Sequence, residues 1–467
     1  MTDNASRHIQ KQGLDAQVPP LLPTRLVDVE LSTAIPDIAP VDDDTGIRYS
    51  KVQVLARLHT HPIGIVTIGL SGQTLDAETV ASAIWAALAD AIKRHLGEDG
   101  LNTDDLPTSG LPATTTPACL RARAQVLSDA PPINVVIATH NRGPALSRTL
   151  DSIRALEYPH FDAFVIDNAP GDDATANLLA TQYHEMRYIR EDRAGLAIAH
   201  NRGLQEVRAP IVAFTDDDVE VDRYWLAEIA TAFALGEDVG CVTGMILPAE
   251  LHTPAQHMIE QYGYHKGFER RVFDLKEHRP PGLLYPYSAG VFGSGANMAF
   301  RTTALRAAGG FDPALGAGSP AKGGDDLSGF YKMVSAGYKV VYEPAALLRH
   351  WHRREYEALR KQAYGYGVGL TAYLTSILYS HPVKVLDFAL RAPMGVLHAL
   401  RMRSSNPTQK DGYPAELARL ERRGMLSGPA AYLRSLRRCA QWQRNRKDSA
   451  REITRGAHMR PQEVNDQ

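Results

Sequence analysis

Short apolar segments alternate with helical segments after residue 130, and this alternation constrains the fold more than any other feature of the chain. Strands that alternate with helices form a parallel sheet with both faces covered. The predicted strands are Ile133–Thr139, Ala163–Asp167, Met186–Arg190, Ile211–Thr215 and Val239–Met245. Helical patterns lie between them, near residues 146–156, 174–183, 196–207 and 225–234. The sequence therefore predicts an α/β domain that begins near residue 131.

Composition divides the rest of the chain into four further zones. Residues 1–24 are polar and bounded by prolines, which predicts a disordered tail. Three strand patterns and one amphipathic helix predict a small α/β module over residues 25–105. We expect a linker over residues 106–130 and a helical, basic extension over residues 370–467. The tail from residue 401 carries 15 Lys/Arg against 7 Asp/Glu.

Charge and cysteine content narrow the functional class. The chain has 467 residues and a net charge of -2, which argues against a nucleic-acid-binding protein. Its three cysteines, Cys119, Cys241 and Cys439, stand far apart without metal-type spacing, so we expect a reducing compartment. The first residues are polar, and no apolar run approaches the roughly 18 residues of a membrane span. We therefore expect a cytoplasmic protein.

Three consecutive aspartates, Asp216, Asp217 and Asp218, directly follow the apolar stretch Ile211–Thr215. A buried strand that ends in three carboxylates concentrates negative charge where a parallel sheet opens to solvent. Hard divalent cations prefer carboxylate and phosphate oxygens, so Mg²⁺ or Mn²⁺ bound here would in turn hold a diphosphate. A solvated acidic turn that caps the next helix is the alternative interpretation.

Polar residues also follow the other strands at the same edge of the predicted sheet, where ligands bind in such folds. The expected nucleotide contacts are Thr139, Asn141, Arg142, Asp167, Arg193, Asp216 and Asp217. The first strand is followed by neither a glycine-rich dinucleotide loop nor a Walker lysine. The turn after the first strand thus has no glycine-rich loop whose backbone could bind phosphate. This favours a donor whose phosphates are held by a metal ion.

A second acidic pair, Asp325 and Asp326, follows Gly323-Gly324 and opens a predicted helix that one of them is expected to cap. Repulsion between adjacent carboxylates raises the pKa of one and suits it to act as a base. Both roles stay open at this point. Gly295, Asn297 and Gly324 are expected to line a sugar and acceptor pocket, because glycines permit close approach and the amide can bond a hydroxyl.

Several ordered segments together resemble the family 2 glycosyltransferases, whose nucleotide-sugar-binding fold is called GT-A. The resemblance covers about residues 131–369, half of the chain. It rests on the segments VVIATHNR, VIDN, DRAGLAIAHNRG, FTDDDV, FGSGANMAFR, GGFD, GGDDLSGFYKMVSAGYKVVYEP and RHWHR. It implies a Rossmann-like, mostly parallel sheet with helices on both faces.

The resemblance also implies roles for individual residues. Thr139, Asn141 and Asp167 would contact the base and ribose of the donor. Asp216 and Asp218 would form the DXD pair, with His350 completing the shell of Mg²⁺ or Mn²⁺. Asp326 stands at the position of the general base, and Asp325 stands where the family commonly has glutamate. The implied reaction is inverting transfer of a sugar from a nucleotide sugar to a hydroxyl acceptor, a glycan or lipid-linked glycan of the cell envelope.

Two other functional classes and one further partner stay open. A nucleotidyltransferase also uses carboxylate-bound metal beside a parallel sheet, and a non-catalytic protein could bind nucleotide sugars without a base. The apolar helical segment Leu370–Leu400 is interrupted by charges and by Pro382 and Pro393, so it does not span a membrane. It is expected either to pack on the preceding domain or to lie peripherally on the inner face of the cell membrane, beside the basic tail.

Overall fold

The computed structural model describes residues 23–111, 116–263, 265–282, 284–391 and 414–458. These residues form a small sheet with one covering helix, a large sheet with helices on both faces, and a pair of long C-terminal helices. The first elements are β1 (Thr24–Glu30), β2 (Lys51–Leu58), β3 (His61–Gly69), α1 (Ala77–Gly97) and α2 (Ala118–Ser128). The large sheet and its helices follow from β4 (Ile133–Thr139) onward.

The remaining elements follow the predicted alternation as far as the strand that begins at Val239, with small shifts at their ends. They are α3 (Leu146–Arg154), β5 (Phe161–Asn168), α4 (Ala174–Gln182), β6 (Arg187–Glu191), α5 (Leu196–Glu206), β7 (Ile211–Asp216), β8 (Val219–Val221), α6 (Trp225–Phe233), β9 (Val239–Pro248), α7 (Pro254–Glu260), β10 (Arg271–Phe273), β11 (Asn297–Arg301), α8 (Thr302–Ala307), α9 (Asp325–Ser335), β12 (Lys339–His350), α10 (Tyr356–Ser380) and α11 (Ala415–His458). The strands Val219–Val221, Arg271–Phe273 and Asn297–Arg301 were not predicted.

The large sheet has the strand order β10-β12-β9-β11-β7-β4-β5-β6, and β8 pairs with β12. Strands β7, β4, β5 and β6 are parallel, as expected for βα alternation. Strand β11 instead runs antiparallel between β7 and β9, so the sheet is mixed. The α/β class is therefore confirmed, and parallel pairing is confined to part of the sheet.

This strand order determines where the polar residues meet. The carboxyl ends of β4, β5 and β7 lie at one edge of the sheet, and the antiparallel β11 begins at that edge with Asn297 opposite Thr215. Apolar clusters fill both faces: Leu150 of α3 and Trp225 of α6 lie on one, and Ala199 of α5 and Phe330 of α9 on the other. Burial of these clusters holds the sheet rigid beneath its polar edge.

The small domain comprises β1, β2, β3 and α1, with β1 parallel to β2 and β3 antiparallel to it. Ion pairs join it to the large domain: Arg57 lies 2.9 Å from Asp222, and Arg349 pairs with Asp28. The zone expected to be a linker contains helix α2, which packs on α6 through Arg123. Of the tail expected to be disordered, residues 1–22 lie outside the described residues, and Thr24 already belongs to β1.

The C-terminal helices α10 and α11 cross where glycines let their backbones approach. A Cβ atom on Gly367 would collide with the backbone of Glu421, and one on Gly424 with that of Tyr364. Helix α10 runs without interruption through residue 370, at which the helical, basic extension was expected to begin. Among the helices that the structure describes, none combines the length and apolar character needed to cross a bilayer.

The apolar segment from residue 370 divides into two parts. Up to Ser380 it belongs to α10, and Ala372, Tyr373 and Ile377 are buried against the preceding domain. After Pro382 the side chains of Val383 and Leu390 are exposed to 89% and 73%. Residues 392–400 lie outside the described residues, so contact of this segment with a membrane stays a prediction.

Candidate active site

The three aspartates lie where β7 ends and β8 begins, and this geometry brings them to His350. Strand β8 pairs antiparallel with the end of β12, which sets His350 opposite Val219. The Nε2 atom of His350 consequently lies 3.2 Å from Oδ1 of Asp218. One ligand atom each from Asp216, Asp218 and His350 lies within 4.8 Å of the others. We call these three residues the acidic edge.

The electrostatics of the acidic edge favour a bound cation. Burial and the neighbouring charge of Asp218 raise the pKa of Asp216 to about 7. Burial also acts to raise the pKa of Asp218, but its hydrogen bond with His350 and the positive charges of His350 and Arg142 outweigh burial and lower it. Carboxylate oxygens and one imidazole nitrogen fit Mg²⁺ or Mn²⁺. The positive charge of such an ion would offset the repulsion between the Asp216 and Asp218 carboxylates.

A second layer of side chains orients His350. Its Nδ1 atom lies 3.1 Å from Nδ1 of His352, and Nε2 of His352 lies 2.6 Å from Glu260 Oε1. Hydrogen bonds behind an imidazole ligand fix its ring and tautomer. His352 is buried, and its partner Glu260 is the last residue of α7. The His352 ring therefore holds the His350 ring on the side away from Asp218.

Arg142 and Thr139 both contact the aspartates. The Arg142 guanidinium donates to Oδ2 of Asp218 at 2.7 Å and lies 3.3 Å from Oδ1 of Asp217. The Thr139 hydroxyl donates to Oδ2 of Asp217 at 2.7 Å. Both residues were expected to contact a nucleotide; in this structure Thr139 is buried and orients Asp217, and Arg142 compensates part of the carboxylate charge.

Asp167 has the features of a ligand-binding carboxylate. It is fully buried at the end of β5, and Oδ2 accepts a hydrogen bond of 3.0 Å from the Tyr188 hydroxyl. Oδ1 has no hydrogen-bond partner within the part of the chain that the structure describes. Burial raises the pKa of Asp167. A buried acceptor without a partner is costly, so a donor from a bound ligand would stabilise it.

The two remaining strand-end residues, Asn141 and Arg193, belong to loops beside Asp167. Asn141 has a positive φ of 53°, and its Oδ1 accepts a hydrogen bond from the Gly171 N–H. Arg193 forms a two-bond pair with the Glu191 carboxylate, at 2.8 and 2.7 Å. Both side chains lie at the edge of the sheet that also carries the aspartates, as expected from the strand ends.

Asp326 lies in the first turn of α9, and a hydrogen bond links it to the edge of the large sheet. Its Oδ2 accepts from the Gly295 N–H at 3.0 Å, and Oδ1 accepts from the Leu327 N–H at 2.8 Å. Gly295 stands two residues before β11, whose Asn297 pairs with Thr215 of β7. The register of β7 and β11 therefore brings Asp326 to the edge that carries Asp216.

The charge state of Asp326 is set by burial and by its neighbour. Burial and the charge of Asp325 raise its pKa to about 6, against the opposing effect of the two backbone N–H groups. A carboxylate with such a pKa is ionised at neutral pH and more basic than an ordinary aspartate. Neither aspartate caps α9, contrary to the expectation, because the N-cap position is Gly324 with a φ of 87°.

His200 is a buried polar residue that no sequence motif indicated. Its Nδ1 lies 3.4 Å from Oδ2 of Asp325, and its ring packs 5.0 Å from both Phe214 and Phe311. Among the described residues, neither of its ring nitrogens has a hydrogen-bond partner. It lies on α5, and its place between the two acidic sites depends on tertiary packing. The only signal in the sequence was a histidine on the apolar face of that helix.

Two of the residues expected to line a sugar pocket have other roles. Both amide hydrogens of Asn297 are donated to backbone carbonyls, at 2.9 Å to Met245 and 2.8 Å to Ala346, and its oxygen accepts from Trp225. Asn297 is thus a structural residue of the mixed sheet. Gly324 is close-packed on α10, since a Cβ there would lie 2.6 Å from the Gly369 oxygen. Both residues have structural roles here, and their contact with a sugar stays a prediction.

Gly295 keeps a place next to the acidic pair. A Cβ atom there would lie 3.1 Å from the Asp326 Cβ and 3.4 Å from its Oδ2. Any side chain would therefore crowd the carboxylate that the Gly295 N–H holds.

Comparison with known proteins places these residues in a family. The model of the family described as glycosyltransferase-like family 2 matches residues 131–364. A pre-mycofactocin glycosyltransferase of Mycobacterium tuberculosis H37Rv is 26% identical over 238 residues, which are 50% of this chain and 46% of the relative. The glycosyltransferase AglE of Haloferax volcanii is 26% identical over 118 residues, covering 24% of this chain and 39% of the relative.

A solved structure was also found. The mannosyltransferase PcManGT of Pyrobaculum calidifontis, in complex with GDP-Man and Mn²⁺, has a TM-score of 0.37 and 19% identity over 69% of this chain and 95% of its own. Each match to the curated relatives above spans less than half of the relative's length. The family match covers half of the chain and includes the acidic edge and Asp326. The chain therefore belongs to the glycosyltransferase-like family 2.

Proposed function

We propose that this protein is a metal-dependent, inverting glycosyltransferase that moves a sugar from a nucleotide-sugar donor to a hydroxyl acceptor. The observation that carries the proposal is the convergence of two acidic sites at one sheet edge, joined by the β7–β11 register and the Gly295–Asp326 hydrogen bond. One site suits a cation and the other suits a base. Transfer requires both beside the same sugar.

Donor binding is assigned to the strand ends. Asp167, whose Oδ1 lacks a partner among the described residues, would accept hydrogen bonds from the base or ribose. Asp216, Asp218 and His350 would hold Mg²⁺ or Mn²⁺, which supplies charge stabilisation for the departing diphosphate. Arg142, which pairs with Asp217 and Asp218 here, would add positive charge beside the same phosphates.

Asp326 is assigned to proton removal. The acceptor oxygen forms a bond to the anomeric carbon while the bond from that carbon to the diphosphate oxygen breaks, and the hydroxyl proton passes to Asp326. Attack opposite to the leaving group inverts the anomeric configuration. The Gly295 and Leu327 N–H groups hold the carboxylate in place. Asp325, buried beside His200, raises the basicity of Asp326 through its charge.

Replacing Asp326 by Asn tests the proposal. We expect transfer to fall about 10²–10⁴-fold, the contribution of a positioned general base, while donor binding persists. The measurement is nucleoside diphosphate release from a panel of UDP, GDP and dTDP sugars with Mn²⁺, alongside donor-induced thermal shift. Asp104→Asn is the control, because that side chain is 97% exposed. Transfer at the wild-type rate in the Asp326 variant, or a product with retained anomeric configuration by NMR, would contradict it.

A further inference from the structure

A second group of metal-ligating side chains lies outside the acidic edge, in the small domain and its connection to the large one. His59 follows β2, His95 lies in the last turn of α1, and Cys119 is the second residue of α2. We call these three residues the His/Cys cluster. The proposed transfer reaction uses none of them, and they come from three separate elements that the fold brings together.

The separations within the His/Cys cluster match those around a tetrahedral metal. Nδ1 of His59 lies 3.2 Å from Nε2 of His95, and Sγ of Cys119 lies 3.5 Å from His95 Nε2 and 3.8 Å from His59 Nδ1. Zinc bonds of about 2.0–2.1 Å to nitrogen and about 2.3 Å to sulfur, at tetrahedral angles, place two nitrogens about 3.3 Å apart and nitrogen about 3.6 Å from sulfur. The three atoms therefore occupy three corners of such a tetrahedron.

The backbone at His59 is held in an uncommon conformation. His59 and Thr60 form a two-residue turn between β2 and β3, and both have positive φ, 53° and 71°. Such turns usually contain Asn-Gly, since other residues are strained there. The carboxylate of Glu30 accepts hydrogen bonds from both N–H groups, at 2.9 and 2.8 Å. The Glu30 carboxylate thus holds the turn in the conformation that brings His59 to the cluster.

We propose that His59 Nδ1, His95 Nε2 and Cys119 Sγ bind a structural Zn²⁺ ion that fastens the β2–β3 turn and α1 to helix α2. Thiolate and imidazole ligands select zinc over magnesium or manganese. Helix α2 is itself anchored to α6 by the buried pair of Arg123 and Glu228, at 2.6 Å. The ion therefore ties the small domain to the large one.

His61 stands beside the three ligands and completes the surroundings of the site. Its ring centroid lies 5.9 Å from that of His95, and its Nε2 lies 3.6 Å from the Glu228 carboxylate. A water molecule would complete the tetrahedron on the side of His61. Because Glu228 is almost fully buried, it also supplies fixed negative charge near the cation.

Cobalt substitution tests the site in the full-length protein. After chelator treatment, Co²⁺ is expected to produce a thiolate-to-cobalt charge-transfer band and the intense visible bands of tetrahedral Co²⁺. Cys119→Ser should remove the charge-transfer band, and His95→Ala should weaken Co²⁺ binding more than about 100-fold, since even partners behind a ligand cost 10–100-fold. Cys439→Ser and Asp218→Asn should leave the charge-transfer band unchanged, because neither residue touches this site.

A second measurement needs no substitution and so does not depend on the variants folding. Zn²⁺ should slow the alkylation of Cys119 at least tenfold, read by mass spectrometry of the peptide, while Cys439 in the same sample reacts at an unchanged rate. Both thiols are partly buried, which makes Cys439 a matched reference. A wild-type protein without the cobalt–thiolate band, a band that survives Cys119→Ser, or a Cys119 unprotected by Zn²⁺ would overturn the proposal and leave only a hydrogen-bonded cluster.

Discussion

The acidic edge and the His/Cys cluster are both potential metal sites, yet their ligands suit different ions. The acidic edge offers two carboxylates and one imidazole. The His/Cys cluster offers two imidazoles and one thiol, wedged between a turn and two helices. Hard oxygen ligands suit Mg²⁺ or Mn²⁺, and sulfur with nitrogen suits Zn²⁺. The two proposed ions therefore share no ligand: the one at the acidic edge would serve sugar transfer, and the one in the His/Cys cluster would stabilise the fold.

Among substitutions that separate the two metal sites, the largest effect is expected from Asp218→Asn at the acidic edge. Loss of this carboxylate removes a ligand of the proposed cation, whose charge stabilisation amounts to several kcal/mol, so kcat/KM should fall roughly a thousandfold. Steady-state transfer at fixed Mn²⁺ measures the effect, with the exposed Asp104→Asn as control. Activity within tenfold of wild type would mean that the acidic edge does not hold the ion used in transfer.

A large loss of stability is expected from Arg123→Ala, which cuts the connection between the two regions. The Arg123–Glu228 pair is buried, and removal of Arg123 leaves the Glu228 carboxylate with the more distant His61, at 3.6 Å, as its remaining counter-charge, so the free energy of unfolding should fall by about 3 kcal/mol. Arg94→Ala is the matched control, because its pair with Glu269 is exposed and should contribute at most about 1 kcal/mol. Equal midpoints for the two variants in urea denaturation would contradict this.

A smaller effect is expected from His352→Ala, which leaves every ligand of the acidic edge in place. His352 holds His350 from behind, and loss of such a partner should weaken Mn²⁺ binding about 10–100-fold. Titration of the protein with Mn²⁺, followed by donor-dependent thermal shift, provides the affinity. His184→Ala serves as control, since that histidine is exposed. If both variants bind Mn²⁺ equally, His352 does not position His350.

The pH dependence of transfer separates the base from the metal ligands. Asp326 acts as a base only when ionised, and burial with the charge of Asp325 raises its pKa to about 6. At saturating Mn²⁺, kcat/KM should therefore be constant well above pH 6 and fall about tenfold per pH unit below it. A pH–rate profile from 5 to 8 measures this. A flat profile through pH 6 would show that another group removes the proton.

Prediction from sequence succeeded where chemistry is local. The first strand of the large sheet has the predicted bounds, Ile133–Thr139, and the aspartates lie where β7 ends, as its apolar run indicated. Alternating strands and helices place polar strand ends together, since parallel strands share an edge. The grouping of Asp216 and Asp218 with His350 could therefore be predicted from the order of the strands and helices and from the resemblance to family 2 glycosyltransferases.

Prediction was weaker where a residue's role depends on a distant partner. Asn297 has a side-chain amide that could bind a sugar hydroxyl. Because β11 inserts antiparallel between β7 and β9, that amide is buried and donates to the backbone carbonyls of Met245 and Ala346. Cys119 showed no metal-type spacing, because its neighbours His59 and His95 come from a turn and a helix end. In both cases contacts between residues distant in sequence select the partners, and hydrophobic periodicity along the chain does not predict such contacts.

By itself the sequence determined the α/β class, the positions of the strands that alternate with helices in the large sheet and the acidic character of their ends, because hydrophobic periodicity and residue chemistry act over a few positions. Tertiary structure alone decided that Gly295 holds Asp326, that His200 faces Asp325, and that two histidines meet Cys119. These contacts join residues tens to more than a hundred positions apart. Their geometry follows from strand register and helix packing, which the whole chain decides together.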